Sequence, residues 1–111
     1  MKERVLELLE IAKSRNWKPW ELQSALRERC ESIVSVGDDL SFTIKLNFEI
    51  PEWRIEKLKE IGKECKIYPF KRAFRFKSGF VAVEGKFVRL SKDLDIETLE
   101  FVLEILFAEQ R

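Results

Sequence analysis

Two thiols, twenty carboxylates and one run of rings alternating with cations are the residues of this chain whose types could do chemistry. Cys30 and Cys65 stand far apart, with no C-x-x-C pair and no histidine anywhere to complete a four-ligand zinc site. The missing histidine also removes the usual general base and the common activator of a nucleophilic thiol. Four glycines form neither a phosphate-cradling loop nor a dinucleotide fingerprint. A carboxylate-only enzyme stays formally open, yet no acid pair singles itself out. No catalytic activity, metal or cofactor is therefore expected. Both cysteines fall on the apolar stripe of an expected helix and read as buried free thiols, with a disulfide between them as the alternative.

The stretch YPFKRAFRFKSGFVAVEG, residues 68–85, sets rings beside cations, as single-strand nucleic-acid binders do. Period-two counting divides it into faces. Tyr68, Phe70, Phe74 and Phe76 fall on one side, interrupted by Arg72, while Lys71, Ala73, Arg75 and Lys77 fall on the other. A turn at Ser78 and Gly79 would pair Phe76 with Val81 and Phe74 with Val83. The rings are then expected in the core. Candidate contacts to nucleic acid or an acidic partner are Lys71, Arg75 and Lys77, with Arg72, Lys86 and Arg89 nearby.

Charge is segregated along the chain although the sum is close to zero, with 21 Lys and Arg against 20 Asp and Glu. Seven cations between Lys66 and Arg89 face Glu84 alone, whereas residues 93–110 hold six acids and no cation. A basic sheet face can hold phosphates, an acidic helix of a partner, or that of a second copy. The plainer reading is a solvated face that resists edge pairing.

The elements that must position these residues follow from periodicity. Residues 3–15 place Val5, Leu8, Leu9 and Ala12 on one helical stripe, ending near Asn16. Pro19 suits the first turn of a second helix, continued by Leu22, Ala25, Leu26 and Cys30, with Trp17 and Trp20 capping the core at the corner. LSFTIKLNFEI, residues 40–50, alternates apolar and polar without exception and reads as a half-buried strand. The preceding SIVSV pairs with it through Gly37, Asp38 and Asp39, setting Val34 beside Phe42 and Val36 beside Leu40. Pro51 opens a helix whose stripe is Ile55, Leu58, Ile61 and Cys65, leaving Trp53 at its rim. Glu84 and Gly85 form either a tight turn or a bulge. Asp95 is placed to cap the last helix, with Leu94 and Leu99 as a hydrophobic staple. On that helix Phe101 and Ile105 project away from the core stripe. The N-terminal helices, a homodimer or a protein partner must cover them.

The class implied is α+β: an antiparallel sheet of four to five strands packed with helices, in the order α-α-β-β-α-β-β-(β)-α. At 111 residues the chain fits one domain, 1–111, with a helical pair over 1–31 and the sheet with two helices over 32–111. No apolar run is long enough for a bilayer and no secretory segment opens the chain, so a cytoplasmic protein without membrane contact is expected. Abundant Lys and Glu beside four amides resemble thermophile composition. The layout, though not the residues, is similar to small adaptor modules of the roadblock type and to type III secretion chaperones, and a shared layout carries function poorly. A non-catalytic protein-interaction or adaptor module, possible as a homodimer, is the leading expectation, using Trp53, Phe101 and Ile105. Nucleic-acid binding through the basic hairpin is the alternative.

Overall fold

The computed structural model describes residues 2–29, 33–34 and 41–107. Its elements are α1 (Lys2–Arg15), α2 (Pro19–Arg29), β1 (Ile33–Val34), β2 (Ser41–Lys45), α3 (Glu52–Ile61), β3 (Lys63–Cys65), β4 (Arg72–Arg75), β5 (Phe80–Glu84), β6 (Phe87–Ser91) and α4 (Ile96–Phe107). The strands form one antiparallel sheet in the order β1-β2-β6-β5-β4-β3. The fold is α+β in the expected element order, with the short β3 in addition.

Local chemistry explains the helix boundaries. Asn16 takes a positive φ of 51°, and the Trp17 N–H donates to the Ala12 carbonyl at 3.0 Å, which is the six-to-one bond of a Schellman ending. Pro19 then opens α2, while the Glu21 carboxylate accepts from the Lys18 N–H at 3.0 Å as half of a capping box. Asp95 caps α4 as expected, accepting from the Thr98 N–H at 2.8 Å, and Leu94 and Leu99 are both fully buried. Trp17 packs on the core, but Trp20 stays largely exposed.

The third helix is shorter than its stripe predicts. It stops at Ile61, and Gly62 is extended, so Cys65 lies on β3 opposite Ala73 as a half-buried free thiol. A Cβ at Gly62 would come within 2.8 Å of two atoms of the Phe76 ring; the absence of a side chain there lets the ring pack directly on the backbone where β3 begins. Ile61 is consequently exposed. Cys30 and the loop 37–39 lie outside the described residues.

Two registers differ from expectation. Val34 pairs with Thr43, and Ile33 with Ile44, a shift of one from the expected pairing of Val34 with Phe42. In the basic hairpin Phe74 pairs with Val81 and Arg72 with Val83, because the chain reverses at Lys77 and Ser78, where the Phe76 N–H donates to the Gly79 carbonyl at 2.7 Å. That shift of two leaves every side chain on its own face. Glu84 pairs with Phe87 across a two-residue turn, and Gly85, with φ of 59°, supplies the positive φ that its first position needs.

One hydrophobic core runs between sheet and helices. Ile44, Phe74, Val81, Val83, Val88 and Leu90 cover one sheet face. Against them pack Leu8 and Leu9 of α1, Leu22 and Leu26 of α2, Leu58 of α3, and Leu99, Leu103 and Leu106 of α4. No helix among the described residues is long and apolar enough to cross a membrane.

Candidate nucleic-acid interface

Because strand side chains alternate, the face opposite the helices is fixed by the same registers. Its middle row runs Thr43, Arg89, Ala82, Ala73, Cys65. On one side lies the row Ser41, Ser91, Phe80, Arg75, Lys63. On the other lie Lys45, Phe87 and Glu84, continued by Lys71 just before β4. Lys45, Lys63, Lys71 and Arg75 are exposed, Phe80 is half-buried, and Phe87 retains 38% of its accessible surface, while the small side chains between them, Ser41, Thr43, Ala73, Ala82 and Ser91, are buried.

Phe70 completes this face from outside the strands. It follows a turn in which its N–H donates to the Ile67 carbonyl at 2.8 Å, across a cis Tyr68–Pro69 bond, so the period-two count does not pass through it. Its ring meets the Arg89 guanidinium with Cζ 5.4 Å from the centroid, and Arg89 Nε donates to Thr43 Oγ1 at 3.2 Å. Phe70 therefore belongs to the open face, not to the core stripe expected of it. Tyr68, also expected inside, is 94% exposed. Phe74 is fully buried and Phe76 packs on the core, as the period-two count requires.

The predicted cations separate. Lys71 and Arg75 stand exposed on the open face. Lys77 and Lys86 are exposed in the turns at opposite ends of β5, and the charge of Lys77 reaches Asp95. Arg89 is half-buried in the middle row. Arg72 is on the covered face: its guanidinium donates to Glu52 and Glu64, each at 2.9 Å, with Glu56 at 3.9 Å. It holds α3 and β3 to β4 and offers little to a ligand.

Backbone anchors keep the face in place. Ser91 Oγ accepts from the Phe80 N–H at 3.0 Å and also meets Asp93 Oδ1. Gln23 of α2 reaches the carbonyls of Ser91 and Lys92. A Cβ at Gly79 would collide with the Ser91 and Asp93 side chains, so a larger residue there would have to displace both.

The candidate protein contacts lie elsewhere. Trp53 is half-buried, its ring 4.6 Å from Arg54 Cζ, and buried Arg54 donates to the Ile105 carbonyl at 3.0 Å, where a cation complements the end of α4. Ile105 packs on the core, whereas Phe101 is 60% exposed. α1 approaches α4 through the Lys13–Glu104 ion pair but leaves Phe101 open.

Phe80, Phe87, Phe70, Lys45 and Lys63 were not singled out by sequence. For Phe80 a signal existed, since it alternates with Val81; Phe87 joins the same face only because Glu84 and Phe87 flank a tight turn, the alternative that the sequence left open against a bulge.

Among the described residues, no group of three His, Cys, Asp or Glu side chains is arranged to hold a metal ion. No protein-family model matches the chain, and no solved structure does. A protein of Archaeoglobus fulgidus described as uncharacterized is 45% identical over 109 residues, covering 98% of this chain and 99% of the relative. Shared over nearly its whole length, that identity means the chain belongs to the same family as the Archaeoglobus fulgidus protein.

Proposed function

We propose that this protein is a non-catalytic module that binds single-stranded nucleic acid on the open face of its sheet. The observation that carries the reading is the placement of Phe80, Phe87 and Phe70 on the same face as the exposed Lys45, Lys63, Lys71 and Arg75. Phe80 and Phe87 sit four residues apart along neighbouring strands, about 14 Å by strand geometry, with Phe70 and Arg89 between them. Rings take base stacking and cations take phosphates, without any need for sequence-specific hydrogen bonds. A duplex keeps its bases stacked on each other and offers the rings nothing.

Binding of a labelled single strand and of the same sequence as a duplex tests this at low salt. The single strand is expected to bind more tightly, whether DNA or RNA. Preference for the duplex, or no binding of either, would overturn the proposal. A second reading, protein contact through α4, is favoured by the exposure of Phe101.

A further inference from the structure

Phe101 lies on the outward side of α4, in a shallow depression lined by Lys13, Glu97, Glu100 and Glu104. The lone cation is already engaged, since Lys13 Nζ donates to Glu104 at 2.5 Å. Partial burial raises the pKa of Glu100; Lys13 opposes the rise and the charges of Glu104 and Glu97 add to it. The result is an exposed ring inside a rim of crowded like charges. An apolar anchor with a polar rim is the anatomy of a protein interface, and the sign of the rim selects a partner of opposite charge.

We propose that Phe101, rimmed by Glu97 and Glu100, docks a basic amphipathic segment of a protein partner. This rests on the second reading above and specifies the chemistry of the partner. The cations of the open sheet face do not supply that partner in a closed pair. Leu99, Val102, Leu103 and Leu106 turn α4 toward the covered sheet face, so Phe101 points away from it, while Lys45, Lys63, Lys71 and Arg75 stand on the opposite face. A two-fold axis brings like patches together, which here sets acid against acid. Joining α4 to the basic sheet of the next copy would instead build an open chain.

The test is fluorescence anisotropy with a labelled helical peptide carrying leucines at i, i+3, i+4 and i+7 among lysines and arginines, beside the same peptide with glutamates in their place. The basic peptide is expected to bind and the acidic one not. Phe101→Ala, and separately Glu97→Gln with Glu100→Gln, should each weaken binding about tenfold, while Arg75→Ala on the open sheet face changes nothing. These side chains are outside the core, so circular dichroism should be unaltered. Absence of basic-peptide binding at low salt, equal binding of both peptides, or full affinity in either variant would overturn the proposal. So would light scattering that shows a dimer which Phe101→Glu dissociates, because the face would then belong to a second copy.

Discussion

Arg72 and Arg75 are three residues apart on one strand and have opposite uses. Arg72 points to the covered face and is held by Glu52 and Glu64 at 2.9 Å, with Glu56 at 3.9 Å; Arg75 points to the open face and is exposed. Replacing Arg72 with Met is expected to lower unfolding stability by about 1 kcal/mol, since a half-exposed ion-pair network is worth little more, and to leave oligonucleotide affinity within about twofold. Urea denaturation and a binding titration on the same variant check both parts. The alternation of the sequence placed Arg72 among the rings correctly. Its purpose was hidden because Glu52 and Glu56 come from α3, well upstream, and only the tertiary fold brings them to β4. Phe80 was legible in principle, since it alternates with Val81, but the face of Phe87 depended on whether Glu84 and Gly85 formed a turn or a bulge. Phe70 was not legible, because a turn between β3 and β4 resets the alternation.

At the scale of elements, the sequence was most readable where side chain and backbone chemistry agree. The cap and staple at the start of α4 are the clearest case. Hydrogen bonding with Thr98, first through its side chain and then its backbone, holds the Asp95 carboxyl below its ordinary 3.8, and Lys77 adds to the effect. A group whose folded pKa is depressed stabilises the fold fully above its unfolded value and loses that contribution as pH falls through the folded one. Asp95→Ala is therefore expected to cost about 1 kcal/mol at neutral pH, and the gap from the parent protein should close only below pH 3.8. Urea midpoints measured from neutral pH into acid follow that gap. The end of α3 was misread for a physical reason as well. Ile61 and Cys65 continue a helical spacing, but Gly62 packs against the Phe76 ring and the chain turns into β3. Pairing with a distant strand outweighed local periodicity.

The whole molecule is nearly neutral in sum, with a formal net charge of +1, and divided in space. Its helices cover one sheet face and expose Phe101 among acids, while the other face carries rings and cations. Both the α+β class and the uneven distribution of charge were visible in the sequence; that the cations share their face with Phe80 and Phe87 required the registers. The measurement that tests the central proposal most directly is the salt dependence of single-strand binding for the parent protein, Phe87→Ala and Arg75→Ala. Loss of the ring should weaken binding by about 1–3 kcal/mol without changing the slope of log K against log salt. Loss of the cation should flatten that slope by about 0.7. If Phe87→Ala binds like the parent protein, or the slope is unmoved in Arg75→Ala, the open face is not where the strand lies.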